Sequence, residues 1–337
     1  MKRAVTALAA LGLCLIATAC ASASHESTDA VDRALRITPP TTTTTPSSPP
    51  CKQAKKDLEL ESYAPLSPLP PPGSMPEEMS DIVSRGYLIA GVDDNTPRFS
   101  SRNPATGAIE GLEVALVHEI ARAIFGDDTN RVHLKTIVTA QKVPFAEHGN
   151  VDLTVSAVSI SCERWRDVAF STEYFTATHK LLVPLDSRIT ADDVPDRLSD
   201  VLRSKRVCVT KGSSSVGLLA KIAPDAVPVK VDARSDCLMK LQQARADAYL
   251  GHDSFMYGMV DQDRSVTIVP GTINDQHYGI AIQRGHEDLA SFVNGVLDRM
   301  RDDGTLLRLY GDHLKDHAPT ELPPVDESGP PPRGGAR

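Results

Sequence analysis

The chain has few aromatic residues. Phe, Trp and Tyr make up 4% of its 337 residues, with a single Trp, too few to build a row of platforms for stacking bases. It also has no excess of positive charge. The formal net charge is −8, the wrong sign for a surface that neutralises phosphates, so no nucleic-acid partner is expected. No G-x-S-x-G elbow, H-E-x-x-H pair or Walker loop occurs. Gly212-Ser213-Ser214-Ser215 is Gly/Ser-rich, but no Gly-Lys-Ser/Thr follows it. The ten histidines are scattered without metal-ligand spacing. There is no Cys-x-x-Cys, which removes zinc knuckles and thioredoxin chemistry, so neither a cofactor nor a metal is expected. Past the first twenty residues no apolar run is long enough to cross a bilayer. The remaining composition, 24% charged and 41% hydrophobic, is that of an ordinary globular protein.

The N-terminal residues point to export. Lys2 and Arg3 precede an apolar stretch through residue 19 that is too short for a comfortable span, so residues 1–19 are expected to be a signal peptide. Ala17-Thr18-Ala19-Cys20 resembles a bacterial lipobox, which would make Cys20 the lipidated first residue of the mature chain and the membrane its anchor. Cys51, Cys162, Cys208 and Cys237 then remain, an even number that suggests disulfides in an exported protein. Four cysteines allow three pairings. The expected one is Cys208–Cys237, which leaves Cys51 with Cys162. Residues 20–79 include PPTTTTTPSSPP from Pro39 and PLSPLPPPG from Pro65. Such segments bury too little apolar surface to offset ordering entropy, and they are expected to form a stiff, unfolded stalk. The Pro/Gly-rich tail, 317–337, is expected to be disordered.

About 240 residues between stalk and tail alternate in pattern. Strands are expected at Tyr87–Val92, Val132–Val138, Val151–Val155, Leu181–Pro184, Arg206–Val209 and Ala246–Leu250. Leu112, Leu116, Ile120 and Ile124 recur every fourth residue, and Leu289, Phe292, Val293, Val296 and Met300 form a late stripe, both marks of amphipathic helices. Strands alternating with helices imply α/β units on mostly parallel sheets.

Gly149-Asn150-Val151-Asp152-Leu153 leads through Ser159-Ile160-Ser161 to Glu163-Arg164 and then Phe170-Ser171-Thr172-Glu173-Tyr174-Phe175. This run resembles the signature of the bacterial extracellular solute-binding proteins, family 3, which serve polar amino acids. Ser159 and Ser161 stand where Thr is commoner, and Glu173 where Pro is common. Gly91-Val92-Asp93 before Pro97, Gly111-Leu112-Glu113-Val114, Ala246-Asp247-Ala248 before His252-Asp253, and Tyr278-Gly279-Ile280-Ala281 follow in family order over about residues 80 to 316. The resemblance implies a periplasmic-binding-protein-like α/β fold. Lobe 1 would comprise 80–173 plus 279–316 and lobe 2 179–273, joined by a two-strand hinge at 174–178 and 274–278, with ligand held in the cleft between lobes. A Cys208–Cys237 bridge would then tie an edge of lobe 2.

A zwitterionic ligand needs a cation for its carboxylate and an anion for its ammonium. Arg164 suits the first as a bidentate fork, with Ser159 and the backbone at Ser156 and Ala157 beside it. Asp253 suits the second. The resemblance adds Ser213 and Ser214 at a helix N-terminus. Thr96 and Thr139 stand where some glutamine-binding relatives use aromatic rings, and Lys142 and Arg98 are candidates for a distal carboxylate. The resemblance implies a monomeric, lipid-anchored, extracytoplasmic binding protein and not an enzyme. Its ligand would be glutamate, aspartate, glutamine or asparagine, delivered to an ABC permease. A membrane sensor using the same pocket is the alternative. A dehydratase of the same fold would need a general acid or base, for which Glu173 and His252 are the candidates.

Overall fold

The structure, a computed structural model, describes residues 63–323; the leader, Cys20, Cys51 and the tail beyond 323 lie outside the described residues. Strand β1 (Leu88–Val92) is followed by a small antiparallel sheet of β2 (Asn95–Thr96), β3 (Ser100–Arg102) and β4 (Ile109–Glu110). The helix Leu112–Phe125 then returns the chain to β5 (Val132–Thr136). The helix Lys142–Glu147 precedes β6 (Leu153–Ser159), and the short helix Cys162–Trp165 precedes β7 (Val168–Phe170). A ten-residue strand, β8 (Phe175–Pro184), leads to β9 (Arg206–Thr210), the helix Ser214–Ile222 and β10 (Val227–Val231). The helix Arg234–Gln242, β11 (Ala248–His252), the helix Asp253–Gln262 and β12 (Val266–Ile268) follow. A second ten-residue strand, β13 (Asn274–Gln283), is followed by the helices Glu287–Asp302 and Thr305–Leu314. Among the described residues no helix is long and apolar enough to cross a membrane.

The large sheet runs β10-β9-β11-β8-β13-β6-β1-β5. At one end β5, β1 and β6 are mutually parallel, and at the other β10, β9 and β11 are too. Between these triples lie β8 and β13, antiparallel to each other, with Phe175–His179 paired to Tyr278–Asn274. Each triple joins the middle through one antiparallel contact, β6 to β13 and β11 to β8.

Alternation along the strands feeds two faces of each triple. Val207 and Val209 enter one apolar cluster with Leu181, Leu198 and Leu250, while Cys208 between them enters another with Cys237, Leu241 and Tyr249. The first triple packs Leu88, Ala90 and Val92 against Leu112, Leu116, Ile120 and Ile124, all essentially without exposure, and against Phe292, Val293, Val296 and Met300. Both helical stripes read from the sequence therefore face the core. Cys208 and Cys237 are bonded, Cα atoms 5.6 Å apart. The bridge ties β9, which is flanked by strands on both sides, to the helix Arg234–Gln242 on its face, rather than tying an edge.

Several expectations shift. The strand after Val132 ends at Thr136, because a turn of 3-10 helix begins at Thr139 and Gln141 Oε1 accepts from the Val138 N–H. The strands expected at Val151 and Ala246 begin two residues later, at Leu153 and Ala248. The segment from Tyr63 to Ser74 falls within the stretch expected to form an unfolded stalk. It lies instead on the first core, where Leu66, Leu69 and Met75 pack and the Leu66 N–H donates to Ser291 O at 2.9 Å. Gly295 makes room for it: a Cβ there would stand 2.4 Å from Leu66 O. Apolar side chains spaced between prolines supply the burial that composition averages away. Ala318 and Leu322, within the stretch expected to be a disordered tail, pack on the same core.

Candidate functional site

The two triples face each other across a nearly closed cleft with a free volume of about 20 Å³, lined from the first side by Thr139, Lys142, Ala157, Ser159 and Arg164. From the second side come Thr210, Ser213, Ser214, Ser215, Arg234, Tyr249, His252 and Phe255. The strand ends explain this. β6 delivers Ala157 and Ser159 at its C-terminal end. The chain then turns at Ser161, whose Oγ accepts from the Arg164 N–H at 3.3 Å and so starts the short helix that carries Arg164. The Arg164 guanidinium donates to Ser159 O at 2.9 Å and, across the cleft, to Gly212 O at 3.0 Å. Burial lowers its pKa. Gly212 has φ +74°, and a Cβ there would stand 2.7 Å from the Ala140 Cα on the opposite wall. Glycine allows the walls to meet at this point.

Opposite Arg164, β9 ends at Thr210 and the helix Ser214–Ile222 begins, so its N-terminus lines the cleft with positive partial charge. Ser213 Oγ donates to Thr210 O at 2.7 Å. Ser214 Oγ donates to Gln276 Oε1 at 2.9 Å and lies 3.3 Å from His252 Nε2 and 3.4 Å from His179 Nε2. The two imidazoles meet edge to face, 4.4 Å apart. Burial pushes His179 down to about 4, and burial with its neighbour His179 holds His252 well below the usual histidine range. Both rings are therefore neutral at pH 7. His252 Nδ1 is 2.5 Å from the Tyr278 hydroxyl.

Lys142, the first residue of its helix, is 3% exposed and has no ion pair or hydrogen bond to another described residue. Burial, then the nearby Arg234, brings its pKa well below the usual lysine range. Glu113 lies behind this wall, 1% exposed, accepting from the Ala157 N–H and at 2.6 Å from the Tyr174 hydroxyl. Burial raises it to about 7. Arg234 crosses the cleft from the second side to Asp93 Oδ2 at 2.6 Å and to Thr96 Oγ1, with its guanidinium 4.0 Å over the Phe255 ring.

Of the residues singled out from sequence, Arg164, Ser159, Ala157, Lys142, Ser213 and Ser214 come together here. Ser156 is fully buried and does not line the cleft. Asp253 does not reach it either. Its Oδ1 accepts from the backbone N–H groups of Thr178 and Ser254, and its Oδ2 from the Tyr257 hydroxyl. Its neighbour His252 takes the place on the wall. Arg98 is also elsewhere, bonded to Asp261 and to Leu314 O. Sequence reasoning missed Arg234, which no local pattern marks, because its partner Asp93 lies 141 residues away. The expected bond between Cys51 and Cys162 cannot be placed on the described residues, because Cys51 lies outside them.

Comparison with known proteins yields consistent matches. The family model of "Bacterial extracellular solute-binding proteins, family 3" matches residues 88–316. The chain is 27% identical over 243 residues to the "ABC transporter glutamine-binding protein GlnH" of Bacillus subtilis, covering 72% of this chain and 86% of that one. It is 24% identical to the "Glutamate-binding protein GluB" of Corynebacterium glutamicum, covering 69% and 80%. Among solved structures, a mutant of ArgBP from T. maritima superposes with a TM-score of 0.63 at 26% identity, covering 70% of this chain and 99% of that one. A solute receptor for L-cysteine from Neisseria gonorrhoeae shares the fold, with a TM-score of 0.66 at 21% identity, covering 73% and 97%.

Proposed function

The chain belongs to the bacterial extracellular solute-binding proteins, family 3, and from that premise we propose that its cleft binds an acidic or amide amino acid and hands it to an ABC permease. The observation that carries this reading is Arg164. Its guanidinium is held by two backbone carbonyls and, among the described residues, by no carboxylate, facing a helix N-terminus across a narrow cleft. A ligand carboxylate entering there meets a charge-assisted fork on one side and helix N–H groups on the other. Relatives named for glutamine and glutamate binding support the ligand class. The long strands β8 and β13 act as the hinge, and the walls on either side close as rigid bodies. Cys20 supplies the lipid anchor. The role is binding without turnover. Glu173, the first candidate acid or base, is bonded to Thr176 and to His277 outside the cleft lining. His252, the second, is held neutral among Tyr278, Phe255 and His179.

Isothermal titration of the protein with glutamate, aspartate, glutamine and asparagine tests this. We expect saturable binding of at least one. Arg164→Ala should weaken it by about 2–5 kcal/mol, the usual loss when one partner of a desolvated charge pair is removed, or roughly 30-fold or more. Absence of binding to all four, or an Arg164→Ala protein that binds as well as the original, would remove the assignment.

A further inference from the structure

Arg234 is the first residue of the helix Arg234–Gln242, an unfavourable place for a cation, because a helix N-terminus carries positive partial charge. Its compensation comes from further along the chain and from the other wall. The guanidinium donates to Asp93 Oδ2 at 2.6 Å and to Thr96 Oγ1, and it lies 4.0 Å from the centroid of the Phe255 ring. Both charges are nearly buried, with 4% of the Arg234 side chain and 11% of the Asp93 side chain exposed. The other Asp93 oxygen accepts from the Asn95 N–H at 2.8 Å, which fixes the carboxylate. A carboxylate, a hydroxyl and an aromatic face around one planar cation are the parts of a guanidinium-binding place. Here the occupant belongs to the chain. Cys237, one turn further along the helix, bonds it to β9, so Arg234 is delivered from a fixed position. Arg234 and Phe255 line both the cleft and a second void of about 10 Å³, whose other walls include Asn95, Thr96, Pro97 and Met259. Their side chains are the partition between the two.

We propose that Arg234 is a specificity-determining residue: its own guanidinium fills a place at the border of the cleft that would otherwise receive a cationic ligand side chain, and the cleft therefore rejects basic ligands. This rests on the reading of the cleft as an amino-acid site and deepens it. The side chain takes the space, and its charge cancels the carboxylate with which a ligand cation could pair. Truncation to alanine reverses both effects. The partition opens, and Asp93 is left buried without its ion-pair partner, a state that a cation from solution relieves. A guanidinium relieves it best, since it also fits the ring face and the fork of acceptors.

The test is isothermal titration of the full chain, unaltered and as Arg234→Ala, with ethylguanidinium chloride and with arginine. We expect the variant to bind both, and arginine at least about tenfold more tightly than the unaltered chain does, the effect of one paired and stacked guanidinium. The double variant Arg234→Ala/Asp93→Asn should lose the gain. A folded Arg234→Ala protein that gains neither ligand would overturn the inference and leave the ion pair as a bond between the walls alone. So would a gain that survives in the double variant, or arginine binding by the unaltered chain as tight as by Arg234→Ala. Ethylguanidinium carries no carboxylate, so its arm is independent of the amino-acid reading. If it alone is gained, the outcome turns on the unaltered chain: binding of glutamate, aspartate, glutamine or asparagine there overturns the selectivity role, whereas binding of none sinks the amino-acid reading and leaves the filled guanidinium place standing. If Arg234→Ala does not hold its fold by circular dichroism, recovery of the fold with ethylguanidinium chloride but not with equal sodium chloride supports the inference, and no recovery overturns it.

Discussion

The two ends of the sheet share a parallel three-stranded plan but hold it differently. The end built on β5, β1 and β6 has one large continuous core into which Tyr174, Tyr278, Tyr310, Phe99 and Phe292 are fully buried, and it is strapped from outside by Leu66 and Leu69. The end built on β10, β9 and β11 divides its apolar residues between two smaller clusters, one on each face, and carries the Cys208–Cys237 bond across one of them. Where burial is extensive, packing suffices. Where the core is thin and split, a covalent bond limits the freedom of the unfolded chain instead.

Reducing the bond, or replacing both cysteines by serine, gives the largest expected effect. The loop of 29 residues predicts a loss of about 2–4 kcal/mol. The chain's single tryptophan reports where the loss falls. Trp165 stacks between Tyr63 and Phe170, on the other side of β13 from the bond. We expect the far-UV circular dichroism midpoint in urea to fall more than the tryptophan fluorescence midpoint after reduction. Coincident shifts would mean that β8 and β13 couple the two ends into one cooperative unit.

A smaller change of opposite sign is expected at Lys142. Its buried ammonium has a depressed pKa, so between that value and the ordinary lysine range the unfolded chain binds the extra proton. Stability of the ligand-free protein therefore rises with pH across that window. Lys142→Met removes the cost and should stabilise the ligand-free protein by about 1–2 kcal/mol at neutral pH in urea unfolding, while weakening acid ligands. A destabilised Lys142→Met protein would show that the ammonium is not burdened by its burial.

The smallest effect is at the hinge strands, where His277 Nδ1 meets Glu173 Oε2 at 2.8 Å. That bond raises the histidine. Its contribution is present below the ordinary histidine range, near pH 6.5, and lost as pH rises through the raised value. The histidine is about one-third exposed although Glu173 is buried, so His277→Gln, which keeps a donor for the carboxylate, should cost only a few tenths of a kcal/mol in mildly acidic solution and less in alkaline solution. A cost independent of pH would assign the residue a packing role.

Much of the fold was legible because its signals are local. The four-residue spacing from Leu112 to Ile124 and the stripe from Leu289 to Met300 face the core as any such stripe must. The run from Gly149 to Phe175 located β6, the turn at Ser161 and Arg164 together. Errors arose where a contact, not a pattern, decides. The proline-rich stretch after Tyr63 reads as unfolded by composition, yet it finds a groove at Gly295, more than two hundred residues further on. Asp253 and His252 are adjacent at the junction of β11 and a helix, and sequence could not say which would face the ligand.

Neighbouring residues carry periodicity and motif, so the alternating α/β plan, the disposition of apolar faces and the resemblance to solute-binding proteins are all readable along the chain. Which charges remain unpaired in the cleft depends on long-range folding. Arg98 is taken by Asp261 and Arg234 by Asp93, partners 163 and 141 residues away, while Lys142 has no ion pair or hydrogen bond among the described residues and feels Asp93 and Glu113 only at a distance. A charge becomes available to a ligand through the absence of a protein partner, and that depends on every element folded around it.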